Sequence, residues 1–435
     1  MIKKLVLVFL VVLATKSYGQ EGMASPYSFY GIGSLKFKGT VENQSMGGIS
    51  VYMDSIHVNL RNPASYASEN LELLNKESRP VKFTVGGSYS SIKLKNNSGS
   101  DRASTGTFDY LALSIPLGKF GVGFGLMPYT SVGYKLETLN DSGNPTNWFR
   151  GEGGVNKTFL AVGYQAFKGF SIGADVQYNF GNIQNSTIAF NYDDDGVLTL
   201  FQSKESNRSD LSGLNVNIGM SYKTMIANKL EFVTALTFTP ESKLVSRNER
   251  AISVVTIDAS TGTEIDVATT DTDLEALGLA KTNLTMPARL SLGTGIGKPH
   301  HWFFGIESEF QKTSNFSNEL YASSESTYVD AMTFSAGGFY IPEYNSFNNY
   351  FKRVVYRAGF HYGNTGLEIK DESIKEFGIS FGMGLPIGTF FSNANIGVEV
   401  GKRGTLNKNL IQENFVNFQL SLSLNDRWFQ KRKYD

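Results

Sequence analysis

The sequence predicts an all-β fold: a closed antiparallel transmembrane β-barrel of about 14 strands with an N-terminal plug, or hatch, in its lumen. Three observations predict it. The composition is poor in charge and rich in glycine and aromatic residues. Apolar and small polar residues alternate over stretches of about ten residues, the length a tilted strand needs to cross a bilayer. Short and long connectors alternate between those stretches, as they do in outer-membrane barrels.

The chain has 435 residues, 41% hydrophobic and only 18% charged, against roughly 25% charged in a typical soluble domain. Gly 45, Phe 32 and Tyr 21 against Pro 11 suit strands with close backbone approach and aromatic anchors at a membrane interface. Lys plus Arg and Asp plus Glu are equal at 40 each, and this balance excludes the basic excess of a nucleic-acid binder. Cysteine is absent, which excludes disulfides, Cys-based zinc sites and thiol catalysis.

The first element, residues 1–19, reads as a signal peptide. A basic MIKK start precedes the apolar run from Leu5 to Ala14, and Ser17 and Gly19 provide small residues before a cut at Gly19/Gln20. That run is too short for a membrane-spanning helix, which takes roughly 20 apolar residues. The expected compartment is the outer membrane, with the barrel integral to it and both termini in the periplasm.

Residues 20–80 form the expected plug. Tyr27, Phe29, Tyr30, Ile32, Met46, Ile49, Val51, Tyr52 and Leu60 lie there without sustained alternation, too many apolar groups for a solvated tail. The lumen of a wide barrel offers them burial.

Residues 81–424 form the expected barrel, with strands beginning near Val81, Thr107, Phe120, Val155, Gly169, Leu211, Lys229, Leu284, His301, Asp330, Lys352, Ile374, Phe391 and Glu413. The last is the clearest: Val416, Phe418, Leu420, Leu422 and Leu424 oppose Asn417, Gln419, Ser421 and Ser423. In a strand one such row meets lipid and the other a lumen. A β-sandwich also alternates, but its polar row meets bulk water and carries Lys, Glu and Thr. Connectors at 95–106, 137–154, 181–210 and 240–283 read as long, and those at 118–119, 167–168, 226–228 and 297–300 as short. The stretch 342–351 breaks the rule by being long where a short turn is due. Residues 425–435 read as a basic periplasmic tail, with Trp428 and Phe429 at the interface and Lys431, Arg432 and Lys433 beyond it.

Within the plug, Gly47-Gly48 and the later Asn62-Pro63-Ala64 resemble the hatch of the FadL-type long-chain fatty-acid transporters, in which an Asn-Pro-Ala motif closes an N-terminal plug. Residues 286–316 and 353–363 resemble recurrent strand segments of that family. The resemblance implies uptake of hydrophobic, fatty-acid-like molecules. It also implies a third strand broken to open a lateral exit, for which Gly121, Gly123, Gly125 and Pro128 are the candidate gate. A bulge that only adjusts curvature explains the same residues.

No catalytic constellation is legible. His57 lies in the plug, His300 and His301 in a turn and His361 on a strand, with no serine and acid at triad spacing. Asp175, Arg289, Glu307, Glu309, Arg357 and Glu399 are expected to face the lumen and to cross-pair or hold the plug. Asp193-Asp194-Asp195-Gly196 starts like a calcium loop, but Gln202 stands where the bidentate Glu belongs, so a hairpin turn is expected. The acidic stretch 258–275 is expected outside the cell, and neither stretch gives a metal site. The expectation is a non-enzymatic barrel without cofactors or metals, in contact with outer-membrane lipid and a hydrophobic small molecule. Two functions stand: uptake past the plug with lateral release near strand 3, or a carrier or scaffold barrel with other outer-membrane proteins in a secretion or assembly complex.

Overall fold

A bilayer interior gives no hydrogen-bond partner to an open strand edge, so a sheet that crosses it has to close. The computed structural model describes residues 24–37, 39–53, 56–67, 80–258, 263–316, 326–387 and 392–426. The expected signal peptide, the residues from Trp428 to Lys433 and the expected start at Phe391 lie outside the described residues. A two-residue strand, β1 (Ser34–Leu35), precedes the barrel. The barrel wall begins with β2 (Val81–Lys95) and β3 (Ser100–Leu117), then a third span in two pieces, β4 (Phe120–Pro128) and β5 (Thr130–Leu139). β6 (Pro145–Phe167), β7 (Phe170–Ala189) and β8 (Gln202–Ile226) follow. The seventh span is divided into β9 (Leu230–Thr239) and β10 (Ser242–Ile257), and the eighth into β12 (Lys281–Met286) and β13 (Arg289–Lys298), with β11 (Glu264–Asp271) between them. β14 (Trp302–Gln311), the short β15 (Ser326–Tyr328), β16 (Ala331–Tyr340), β17 (Val355–Ile369), β18 (Glu372–Pro386), β19 (Asn393–Gly404) and β20 (Gln412–Asp426) complete the sheet.

Counting each divided span once, the wall is a closed antiparallel barrel of 14 strands. It closes between β2 and β20, in register from Val81↔Asp426 to Lys95↔Gln412. Outward residues such as Leu160, Val162, Val176 and Leu214 are exposed, while inward Lys157, Asp175, Gln177, Asn215 and Asn217 are buried. An exposed apolar belt around a buried polar interior is the inverse of a soluble protein, and it places the barrel within the outer membrane.

The connectors are shorter than the sequence suggests at the distal rim, opposite the rim where β2 begins and β20 ends. Residues 181–189 are ladder, paired from Gly181↔Leu211 to Ala189↔Ser203. Much of 137–154 likewise pairs β5 to β6, and residues 240–283 contain β10, β11 and part of β12. β8 runs for 25 residues, more than twice the roughly 9–11 a bilayer needs. These hairpins run past the length a bilayer needs, and their inward residues Tyr134, Val155, Ile183, Leu211 and Leu244 pack in one buried cluster. At the terminal rim residues 341–354 do form a long connector. Within it Phe347 is 98% exposed and Phe351 69%, while Tyr350 Oη donates to Pro386 O (3.0 Å) and Tyr356 Oη to Phe351 O (3.1 Å).

A bulge shapes the lumen near the seam. The β2–β3 register shifts between Gly86 and Gly87, opposite Tyr110 and Phe108. Asp109 is the extra residue, and its carboxylate accepts from Ser88 and Thr107 inside the lumen (3.0 and 2.8 Å). Tyr110 also turns inward and lies over Gly86, where an added Cβ would come within 2.5 Å of the ring. Gly86→Ala is therefore expected to destabilise the barrel by about 1–3 kcal/mol, whereas Gly106→Ala, with nothing within 4 Å of its Cβ position, is neutral. Thermal unfolding in detergent, read by gel mobility, checks both.

Candidate functional site

The N-terminal residues occupy the lumen through two tight turns, each pressed against wall positions that carry no side chain. The first follows a short helix, Val41–Gln44, whose start is closed by a capping box between Thr40 and Asn43. Gly47 (φ +72°) and Gly48 (φ +89°) then reverse the chain in the left-handed region. A Cβ on Gly47 would lie 2.5 Å from Phe360 O, so this backbone lies directly on β16 and β17. Across from it, Gly337 and Gly359 leave room for Met46, with its backbone 2.3 and 2.2 Å from where their Cβ atoms would stand.

The second turn is Asn62-Pro63-Ala64. Asn62 Oδ1 accepts from Ala64 N (3.0 Å), and its Nδ2 donates to Met220 O on β8 (3.0 Å). Pro63 opens the 3-10 turn Pro63–Ala67, where its missing N–H is no loss. Gly163, Gly173 and Gly219 lie beneath it, and Cβ atoms there would meet Pro63 O (2.8 Å), Pro63 C (2.5 Å) and Asn62 Oδ1 (2.1 Å). Both motifs singled out in the sequence are thus contact points between the segment and the wall.

The expected lumenal ionisable residues are the polar partners of this segment. Glu307 accepts from Ser50 N (2.7 Å) and from Ser291 Oγ (2.8 Å), and it pairs with Arg61 (3.0 Å). Arg61 also pairs with Glu309, which lies 3.8 Å from Arg289. Burial opposes the charge on Arg61, and the Glu307 and Glu309 carboxylates outweigh it, holding the guanidinium above its ordinary pKa. Asp175 accepts from Asn217 Nδ2 (2.8 Å), which also donates to Arg61 O (3.2 Å). Arg357 donates to Asn395 (3.1 Å), and Asn395 donates to Glu42 in the segment (2.6 Å). Glu399 accepts from Gln44 and Asn417 (both 2.9 Å). Sequence reasoning missed Arg61 and Glu42; the only signal for Arg61 is its place next to the Asn-Pro-Ala motif.

The third span is parted from the second. β3 pairs with β4 only from Leu111↔Leu126 to Leu117↔Phe120. Beyond Pro128 the chain bends at Tyr129, and among the described residues no ladder joins β3 to β5. β5 instead stays on β6 and takes β1 on its free edge, with Ser34↔Ser131 and Leu35↔Thr130. Ser25 N donates to Gly133 O, and Lys36 N to Tyr129 O (both 3.0 Å). Pro128 marks the bend, but the three candidate glycines do not take part in it. Gly121 and Gly123 clear Tyr66, whose backbone and ring would lie 1.9 and 2.2 Å from their Cβ positions, and Gly125 clears Phe159 (2.7 Å). The glycine that the bend requires is Gly154 on β6 (φ +147°), where a Cβ would lie 2.5 Å from Thr130 O.

Between the two parts of the segment lies a chamber of about 400 Å³ that reaches Pro128. Tyr27, Tyr30, Ile32, Phe316, Tyr328 and Leu367 are among its apolar lining, which polar and charged side chains interrupt. Leu35 stands at its margin beside the parted strands. Burial pulls the Lys36 ammonium below its ordinary pKa, with the Asp109 carboxylate opposing. His361 lies 3.3 Å from Glu376 and 3.5 Å from Glu399. His57 lies 3.7 Å from Glu42, and His300 and His301 pack on Tyr344 and Tyr340. Asp193 accepts from Asp195 N and Val197 N (3.1 and 2.7 Å) at a turn with Gly196 at φ +75°, the hairpin tip expected from the sequence.

A family model described as BamG matches residues 1–435. No curated protein matches the chain. Among solved structures, the Ralstonia pickettii toluene transporter TbuX superposes with a TM-score of 0.58 at 13% identity, covering 90% of this chain and 100% of that one. The CymD monoaromatic hydrocarbon channel gives 0.57 at 14%, covering 90% and 99%. A Pseudomonas aeruginosa FadL homologue gives 0.57 at 13%, covering 90% and 98%. At such identities the likeness is one of fold. Arg61→Ala is expected to leave Glu307 buried without a guanidinium, loosening the segment by roughly 3–5 kcal/mol. Hydrogen exchange checks this: protection should fall across residues 46–62 while the β18–β20 amides stay protected.

Proposed function

The chain belongs to the BamG family and carries a FadL-type barrel, and from that premise we propose that it takes up hydrophobic small molecules across the outer membrane. The molecule comes in at the distal rim, which faces the outside with both termini periplasmic. It enters the chamber above residues 39–67, which act as the plug, and leaves sideways between β3 and β5 into lipid. The observation that carries this reading is the parted β3–β5 ladder with Leu35 beside it. An apolar solute gains nothing from a watery pore but gains by passing from an aromatic-lined chamber directly into hydrocarbon. The channels of like fold named above for toluene and monoaromatic hydrocarbons support the same solute class.

The test uses the absence of native cysteine. Ser34→Cys with Ser131→Cys joins directly opposed residues of β1 and β5. The oxidised pair is expected to lower uptake of radiolabelled toluene by whole cells at least tenfold, and reduction to restore it. Equal uptake in both states overturns passage beside a moving segment.

A second reading, a carrier or scaffold barrel in an outer-membrane protein secretion or assembly complex, is favoured by one observation. Phe347 and Phe351 project from the long terminal-rim connector at 98% and 69% exposure, an arrangement suited to anchoring in a partner's pocket. If this reading holds, Phe347→Ser with Phe351→Ser strips co-purifying outer-membrane proteins from the barrel in mild detergent. Toluene uptake is then the same as in the unaltered protein.

A further inference from the structure

The lipid-facing wall has a recess on the side of β14 to β18. Residues directly opposed across these strands form outward rows, and one row reads Phe304, Gly338, Ala358 and Phe381. Gly338 and Ala358 carry almost no side chain, and Ala336 on the next row is only 5% exposed. These three floor a depression of about 980 Å³. Phe304, Phe360 and Phe381 rim it, and all three stand exposed.

The row next to it, toward the terminal rim, reads Lys298, Trp302, Tyr340 and Tyr356. Such a row marks the level of the lipid head groups, and the recess begins roughly 7 Å beyond it, two residues along each strand. Tyr356 Oη donates to Phe351 O (3.1 Å), so the turn Tyr350–Arg353 lies just below this belt on the lipid side. Arg353 stacks on the Tyr350 ring (5.4 Å), and its Nε is buried without a hydrogen-bond partner. Among the described residues neither Arg353 nor Lys298 enters an ion pair, and the acid of this connector, Glu343, is held by Lys352 (2.9 Å). Residues 388–391, which are not described and follow β18 in the chain, carry no charge.

We propose that this recess binds an anionic phospholipid. One acyl chain lies in it over Gly338 and Ala358, and the phosphate meets the cations Arg353 and Lys298 that bracket the belt. A recess gives the chain contacts on several sides, where flat wall gives one. A second barrel would fill the recess with side chains and leave both cations unanswered, whereas a phospholipid answers the apolar and the charged surface with one molecule. The site uses only the outer face of the barrel and does not depend on the uptake reading.

The test is native mass spectrometry of the full-length protein, delipidated in a non-ionic detergent and mixed with equal amounts of phosphatidylglycerol and phosphatidylcholine of the same acyl chains. One phosphatidylglycerol is expected to stay on each barrel, at least fivefold more often than phosphatidylcholine. Lys298→Gln with Arg353→Gln is expected to cut that preference to within twofold. Ala358→Phe, which fills the recess from its floor, is expected to cut retention of both lipids at least fivefold. Val176→Phe, on the lipid face of β7, is the control and retains lipid like the unaltered protein; gel mobility before and after heating shows that each variant is folded. Equal retention in Ala358→Phe and Val176→Phe, an undiminished preference without the two cations, or no lipid on the unaltered barrel overturns the site. A dimer or a co-purified barrel that Ala358→Phe removes, in place of retained lipid, overturns it in favour of a protein occupant.

Discussion

Hydrocarbon cannot satisfy a backbone amide, and this requirement organises the whole molecule. It forces the 14 strands into one closed ladder and limits where the ladder can be opened. The parting between β3 and β5 is tolerated because the N-terminal segment lends its own backbone to the exposed edge. β1 pairs with Thr130 and Ser131, and Ser25 and Lys36 bond the carbonyls of Gly133 and Tyr129. Segment and opening are thus one device: the strand that leaves the wall is held by the chain that occupies the lumen.

The lumen obeys a second rule, that of clearance. A segment built of turns, with little regular structure, needs wall positions its backbone can touch, and the glycines of β4, β6, β7, β8, β16 and β17 supply them. Between those contacts, buried carboxylates join segment and wall: Glu307 of the wall accepts from Ser50, and Glu42 of the segment accepts from Asn395. Such bonds hold a segment in register without a continuous apolar interface.

Much of this was legible in the sequence, and the failures have physical causes. The alternation from Val416 to Ser421 is real because one face meets lipid and the other the lumen, and strands such as β7 and β8 show the same contrast. Residues 181–189 and 202–210 read as loop because polar residues dominate both stretches, even at buried positions such as Gln202 and Ser209. Gly121, Gly123 and Gly125 were grouped with Pro128 because glycine weakens a strand; they clear Tyr66 and Phe159 instead. Gly154, which the bend needs, carries no mark that distinguishes it from those. Arg61 was invisible for another reason: a single basic residue in an irregular segment gives no hint that two wall carboxylates await it.

The bond between Ser25 and Glu413 joins the first described turn to the last strand, across 388 positions. Export delivers the chain from its N-terminus, so the segment arrives long before β20, the strand that completes both its seat and the barrel seam. Until then its aromatic side chains have no home and need shielding from self-association. Long-range pairing of this kind is slow to form. The lumen cannot be finished first and filled afterwards through a closed wall. The sheet curls around its own N-terminus, and the last strand to arrive encloses the first residues made.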